Sequence, residues 1–183
     1  MQIITGKYRA RKLAHPIGDN TRPTLARIKE SIFSILPLSF DGSIVLDLFA
    51  GSGAYGLECV SRGAKTTFLV DINKNAIDAI KKNSLNMKED IRVLQSDCFD
   101  ALKAIEKSGI KLDYVFLDPP YKSELGEKVV AFIESHDMLN TNGKIIYEHS
   151  NDKNLLQKIL KRYIIAKSKT YTGINVDFIT LNE

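Results

Sequence analysis

Cysteine is scarce: Cys59 and Cys98 are the only two in 183 residues, too few for a disulfide framework. No apolar run approaches the ~18 residues of a membrane span. The amino terminus, MQIITGKYRARKL, sets basic residues after a short apolar stretch and lacks the apolar core of a secretory signal. A soluble protein of a reducing compartment, the cytoplasm, is expected. Only three histidines occur, and His15, His136 and His149 have no metal-ligand spacing, so no metal site is expected. Repeats, low-complexity segments and linkers are also missing. At ~100–200 residues per domain the chain has room for one domain, residues 1–183, and no separate recognition domain. With 44% hydrophobic and 26% charged residues it can bury a continuous core, which excludes disordered, collagen-like and stapled mini-protein classes.

The net charge of +4 is unevenly placed. Residues 1–30 carry seven basic groups (Lys7, Arg9, Arg11, Lys12, Arg22, Arg27, Lys29) against Asp19 and Glu30, a local excess of +5. The remaining 153 residues hold 19 basic and 20 acidic groups, a balance of −1. A nearly neutral body with a basic arm points toward a polyanionic partner.

From about residue 43, strand-length apolar runs alternate with amphipathic helical segments, the pattern of a parallel sheet wrapped by helices. Strands are expected at Ser43 to Leu48, Thr66 to Asp71, Ile91 to Gln95, Tyr114 to Leu117 and Lys144 to Tyr147. Helices are expected at Ala54 to Arg62, Lys74 to Met87, Phe99 to Lys107, Glu124 to Ser135 and Lys153 to Leu160. Tyr163 to Thr170 and Ile174 to Leu181 flank Tyr-Thr-Gly and read as a closing antiparallel hairpin. In front, Gln2 to Thr5 and Tyr8 to Leu13 suggest a small basic hairpin, and Thr21-Arg22-Pro23-Thr24 opens a helix running to about Leu36.

After the first strand, Asp47-Leu48-Phe49-Ala50-Gly51-Ser52-Gly53-Ala54-Tyr55-Gly56 has glycines at the three positions of a dinucleotide fingerprint, and Asp71 follows Gly51 by 20 residues. On its own this fits a nicotinamide-dependent oxidoreductase. Asp47 discriminates, because a carboxylate just upstream of the turn repels a pyrophosphate. It suits S-adenosylmethionine, which carries no phosphate and offers an ammonium and a sulfonium. Asp71 is placed for a ribose diol, and Asp97 follows the third strand. Cys59 and Cys98 have no histidine nearby and read as small buried residues.

Asp118-Pro119-Pro120-Tyr121 follows the apolar fourth strand. Two successive prolines fix extended backbone at the carboxyl edge, where open α/β sheets bind ligands. The exocyclic amine of a nucleobase is a poor nucleophile because its lone pair is delocalised into the ring. If the Asp118 side chain and the Pro119 carbonyl each accept one N–H, the lone pair can turn out of the ring plane toward a methyl donor, while Tyr121 stacks on the base. Catalysis is then chiefly alignment, with charge stabilisation by Asp118.

Together these residues resemble the class I S-adenosylmethionine-dependent methyltransferases. Within them they resemble the RsmD family, which methylates the exocyclic N2 of one guanine in bacterial small-subunit (16S) ribosomal RNA. The resemblance covers nearly the whole chain and includes residues 6–13, Thr21-Arg22-Pro23-Thr24 with Arg27, Lys29, Glu30 and Phe33, residues 46–53, Lys82-Asn83 and the Asp-Pro-Pro-Tyr loop. It implies a Rossmann-like, mostly parallel twisted seven-stranded sheet with helices on both faces, a basic extension over residues 1–36 and a catalytic core over 37–183. It further implies S-adenosylmethionine bound by Thr24, Arg27, Asp47, Phe49, Gly51, Ser52, Gly53, Asp71, Ile72, Asp97 and Cys98. RNA or an assembled 30S particle would be met by Lys7, Arg9, Arg11, Lys12, Arg22 and Lys29, chiefly through phosphate, by a monomer. Ala10 departs from the family pattern, which has Gly between the two arginines. Glu148, ending the fifth strand, reads equally as a pocket acid or as a surface or structural one. An amino-methyltransferase acting on adenine or cytosine in DNA or another RNA, and a non-catalytic RNA-binding module, are the alternatives.

Overall fold

The computed structural model describes residues 1–17, 23–120, 124–150, 156 and 160–182, apart from the side chains of Pro23, Thr24 and Leu25. Its strands are β1 (Ile44–Asp47), β2 (Thr66–Asp71), β3 (Asp90–Gln95), β4 (Leu112–Leu117), β5 (Leu139–Ser150), β6 (Tyr163–Tyr171) and β7 (Ile174–Leu181). They form one sheet in the order β3-β2-β1-β4-β5-β7-β6. β1 to β5 run parallel, and β7 lies antiparallel to both β5 and β6, as the alternating pattern and the closing hairpin predict. The helices are α1 (Pro23–Ile35), α2 (Ala54–Ser61), α3 (Lys74–Asn83), α4 (Cys98–Lys107) and α5 (Leu125–Ser135).

Strand alternation sorts the core into two layers. Leu46, Leu48, Val115, Leu117, Ile145 and Tyr147 point to the face covered by α4 and α5. Val45, Phe116 and Ile146 point to the opposite face, against α1. Leu69 packs on that same side among α2, α3 and the arm. Each buried Leu or Ile contributes ~1.5–3 kcal/mol, so a one-residue slip of register, which would reverse both sets, is excluded.

Two boundaries differ from expectation for identifiable reasons. α3 stops at Asn83 rather than near Met87 because Asn86 takes a left-handed φ of 65°, which the helix cannot contain. β5 begins at Leu139, five residues early, because Leu112 pairs with Leu139 across an irregularity and Asn140 donates to Asp113 at 2.7 Å. Of the helix expected over 153–160 only Leu156, which is helical and buried, and Leu160 lie among the described residues.

The amino-terminal arm pairs back on itself with less regularity than a hairpin. Gln2 and Lys12 form an isolated antiparallel bridge, reinforced by Ile3 N–H to Arg11 C=O (3.0 Å) and Leu13 N–H to Met1 C=O (3.0 Å). Ala10 has φ 66°, left-handed, while its N–H reaches Ile3 C=O at 2.9 Å. A Cβ in that region costs ~1–2 kcal/mol, partly offset by the lower chain entropy of alanine. Ala10→Gly is therefore expected to stabilise by about 1 kcal/mol and to raise Tm by about 2–4 °C. A lower Tm in differential scanning calorimetry would refute the strain.

Candidate active site

Four acids gather at the carboxyl ends of adjacent strands. Asp47 ends β1 opposite Leu69 and Phe116, and Asp71 ends β2. Asp118 follows Leu117, which pairs with Tyr147, the residue before Glu148. The charge of Asp118 reaches both Asp47 and Glu148. Asp47 is 2% exposed and its Oδ2 accepts the Gly56 N–H at 2.9 Å. Burial pushes its carboxyl up to about 7, with Asp118 and Asp71 adding to the rise and the Gly56 N–H opposing it. A cation seated beside Asp47 would reverse that rise.

The glycine loop is shaped by close packing. Gly53 caps α2 with φ 78°, a left-handed turn that aims the first helical N–H groups outward from the β1 edge. A Cβ on Gly56 would come within 2.2 Å of Leu69 and 3.3 Å of Asp47, so α2 can lie on β1 and β2 only without a side chain there. Asp71 holds the loop from the other side: its Oδ2 accepts the Gly51 N–H at 2.9 Å and its Oδ1 the Asn73 N–H at 2.8 Å. A Cβ on Gly51 would meet nothing within 4 Å, which leaves the outer side of the loop open to a ligand.

Tyr55 bridges the loop to β4 and β5. Its ring stacks on Phe116 at 5.3 Å and an interplanar angle of 4°, and Phe33 of α1 stacks on Phe116 at 5.7 Å. The Tyr55 hydroxyl donates to Glu148 Oε1. Glu148 is 1% exposed, and its Oε2 has no hydrogen-bond partner among the described residues. Burial, reinforced by the charge of Asp118, pushes its carboxyl up to about 8. Glu148 is thus a buried acid tied to Tyr55 and close enough to Asp118 to feel its charge, not a surface one.

Other expected residues fall into place unequally. Pro119 is buried and Pro120 exposed beside Asp118, whereas Tyr121, Arg22 and the side chain of Thr24 lie outside the described residues. Phe49 is half-buried and Ser52 buried within the loop, and Ile72 stands exposed just past Asp71. Asp97 is exposed and caps α4, its Oδ1 accepting the Phe99 N–H at 2.9 Å. Cys98 and Cys59 are buried, and burial pushes both thiols up, away from nucleophilic use. Arg27 is exposed on α1. In the arm, Arg9 and Lys12 are exposed, Lys7 pairs with Glu89 at 2.7 Å, and the Arg11 guanidinium donates to the Leu85 carbonyl. A cavity of about 410 Å³ lies between arm and α1, away from the four acids and lined in part by Gln2, Ile4, Lys12, Leu13 and Glu30.

Lys29 corrects the expectation of an RNA contact. It is 1% exposed, with Nζ 3.0 Å from Glu58 Oε2 and 3.0 Å from the Gln2 carbonyl. Burial pushes its ammonium below the ordinary lysine value and Glu58 opposes this. Lys29 lies on the core face of α1, next to Ile28, with its ammonium already committed to Glu58 and the Gln2 carbonyl. Counting charges along the sequence could not separate this lysine from the exposed ones.

Two further residues fasten the arm to the body, Glu58 and Asn83, the latter part of the Lys82-Asn83 pair noted in the sequence. Glu58, an acid inside the otherwise apolar α2, accepts from Ile4 N–H (2.7 Å), Thr5 N–H (3.0 Å), Arg62 Nε (2.9 Å) and Lys29 Nζ. That isolated charge was the available signal. Asn83, buried, accepts the Ala14 N–H at 2.7 Å and donates to the carbonyls of Ala14 (2.8 Å) and Ser52 (2.9 Å), tying the arm to the glycine loop. Among the described residues no cluster could hold a metal ion, and no helix is long and apolar enough to cross a membrane.

This geometry has counterparts among known proteins. The family described as conserved hypothetical protein 95 matches residues 1–180. The Bacillus subtilis protein YlbH, provisionally named an rRNA methyltransferase, is 35% identical over 96% of this chain and 97% of its own length. The Haemophilus influenzae ribosomal RNA small subunit methyltransferase D is 34% identical over 95% of this chain and 90% of its own. The solved structure of Escherichia coli yhhF, provisionally a methyltransferase, superposes with a TM-score of 0.85 at 27% identity, covering 99% of this chain and 97% of that one. A glycine loop flanked by a buried acid belongs here to a methyltransferase rather than a nicotinamide enzyme. The chain is a member of the conserved hypothetical protein 95 family, the RsmD family of rRNA methyltransferases.

Proposed function

We propose that this protein transfers a methyl group from S-adenosylmethionine to the exocyclic N2 of one guanine in small-subunit ribosomal RNA. It would act in the cytoplasm as a single-domain monomer whose basic extension, residues 1–36, meets the RNA. The observation that carries the reading is the buried carboxylate of Asp47 beside the open glycine loop, with Asp118 and its two prolines on the adjoining strand. These residues fit the cofactor. A buried carboxylate pushed up by burial gains most from a neighbouring cation, and the loop is open where a ligand would lie against it.

When bound, S-adenosylmethionine supplies an electrophilic methyl group on a sulfonium. Asp47 would hold the cationic tail, Asp71 the ribose hydroxyls and Asp97 the adenine amine, while Phe49, Ser52, Ile72, Cys98, Thr24 and Arg27 would wall the pocket. Asp118 Oδ and the Pro119 carbonyl accept the two N–H bonds of the guanine amine, Pro120 keeps the segment extended, and Tyr121 stacks on the base. So held, the amine nitrogen would present its lone pair toward the methyl group, and its surplus N–H proton would pass to water. The methylated amine is acidic while its bond forms, so no strong base is needed, and alignment carries most of the rate.

Nucleoside mass spectrometry of ribosomal RNA from a strain lacking this gene tests the reading. Loss of N2-methylguanosine at one small-subunit position, restored by the purified protein with labelled S-adenosylmethionine, is the expected result. An unchanged N2-methylguanosine content at every small-subunit position would refute it.

A further inference from the structure

The arm does not project from the body. It docks along the end of α3 and the segment that follows. Lys7 Nζ and the Tyr8 hydroxyl both reach Glu89, each at 2.7 Å. The Arg11 guanidinium donates to the Leu85 carbonyl, and Ala14 is fixed by Asn83. Each docking contact therefore lies within four residues of a lysine of the body: Lys81 and Lys82 in the last turn of α3, and Lys88 beside Glu89. All three are exposed.

The acids of this region are already neutralised. Glu89 is held by Lys7 and Tyr8. Asp90 is held by Arg92 at 3.0 Å and by the Thr66 hydroxyl at 2.9 Å, and Asp78 is held by Lys74 at 2.7 Å. Lys81, Lys82 and Lys88 form no ion pair among the described residues, and neither do Arg9 or Lys12. The arm takes up Glu89 and body residues take up Asp78 and Asp90, so Lys81, Lys82, Lys88, Arg9 and Lys12 stand exposed around the docked arm. Leu85, between Lys82 and Lys88 in the chain, stands 62% exposed, and the Tyr8 ring lies under Lys7 and Arg11 at 5.4 and 5.9 Å. Mobile ammonium groups around an apolar and aromatic centre suit a strand with spaced phosphates and bases between them.

We propose that Lys81, Lys82 and Lys88 form a second phosphate-contacting strip that continues the arm, so that the RNA track crosses onto the body at the end of α3. The proposal rests on the reading that the substrate is RNA. Because Lys82 adjoins Asn83, which holds the Ser52 carbonyl, RNA on this strip lies one residue from an anchor of the glycine loop.

The test is the salt dependence of binding to small-subunit rRNA, measured for the wild-type protein and for the Lys81→Gln/Lys82→Gln/Lys88→Gln variant. Each lost phosphate contact lowers the slope of log K against log salt by roughly 0.7 for a single strand, so a fall of roughly 1.4–2 is expected, with about tenfold weaker binding at low salt. Lys128→Gln, on α5 across the sheet, should leave the slope unchanged. An unchanged slope in the triple variant, with the wild type binding RNA normally, overturns the strip and leaves the arm reading intact. A wild type that binds duplex DNA with a steep slope and small-subunit rRNA without one overturns the RNA reading itself.

Discussion

Glu58→Ala is expected to lower stability by about 3–5 kcal/mol, because removing one member of a buried ion network leaves the others uncompensated. For a chain of this size that corresponds to a fall in Tm of roughly 6–20 °C. Glu58 is fully buried and serves two cations and two backbone N–H groups at once, linking α2 to α1 through Lys29 and to the arm through Ile4 and Thr5. Without it Lys29 and Arg62 share a dry site, and two arm amides lose their acceptors. The damage should be local first. Hydrogen exchange at Ile4 and Thr5 should accelerate more than in β1 or β4. Adding Lys29→Met to Glu58→Ala should recover part of the loss, since it removes one of the two stranded cations while Arg62 remains. If Glu58→Ala unfolds at the wild-type temperature, the ion network is ornamental and the arm is held by its apolar residues, Ile3 and Leu13.

Asp118→Asn is expected to lower kcat by about 10²–10³-fold, the usual consequence of removing one preorganised charge-stabilising group, while cofactor binding is largely retained. The asparagine keeps one acceptor oxygen but can present a donor to an amine that needs acceptors. A second effect follows from its neighbours. The charge of Asp118 helps to push Asp47 up to about 7 and Glu148 up to about 8. Removing it lowers both, so the Asp47 carboxylate stays ionised to lower pH. Cofactor affinity in Asp118→Asn should therefore persist to lower pH than in the wild type, as isothermal titration on either side of pH 7 would read. A kcat within a few-fold of wild type would remove Asp118 from the chemistry. An unshifted pH profile would show that Asp47 does not hold the cationic end of the cofactor.

Much of this could be read from the linear chain because two kinds of signal are local. Alternation of apolar runs, the glycine spacing from Gly51 to Gly56 and the Asp-Pro-Pro sequence are fixed by backbone geometry within a few residues, and they marked out the sheet, the loop and the strand ends that carry Asp47 and Asp118. Charge counting also found the arm, but it could not tell an exposed lysine from a buried one. Lys29 and Arg27 are two residues apart on one helix and face opposite environments. That distinction depends on which side of α1 meets Glu58.

By itself, then, the sequence determined the strand and helix order, the placement of Asp47 and Asp118 at strand ends and the surplus of positive charge in front. Only the tertiary structure decided what the arm lies against, that Glu58 and Asn83 fasten it, that Ala10 adopts a left-handed backbone, and that Tyr55 joins the glycine loop to Glu148. Each of these is a contact between residues well separated along the chain, or a conformation imposed by such a contact: 53 and 54 residues for Glu58 and the arm, 69 for Asn83 and Ala14, 93 for Tyr55 and Glu148. Periodicity and spacing carry no information over such separations. Packing of the sheet brings these residues together.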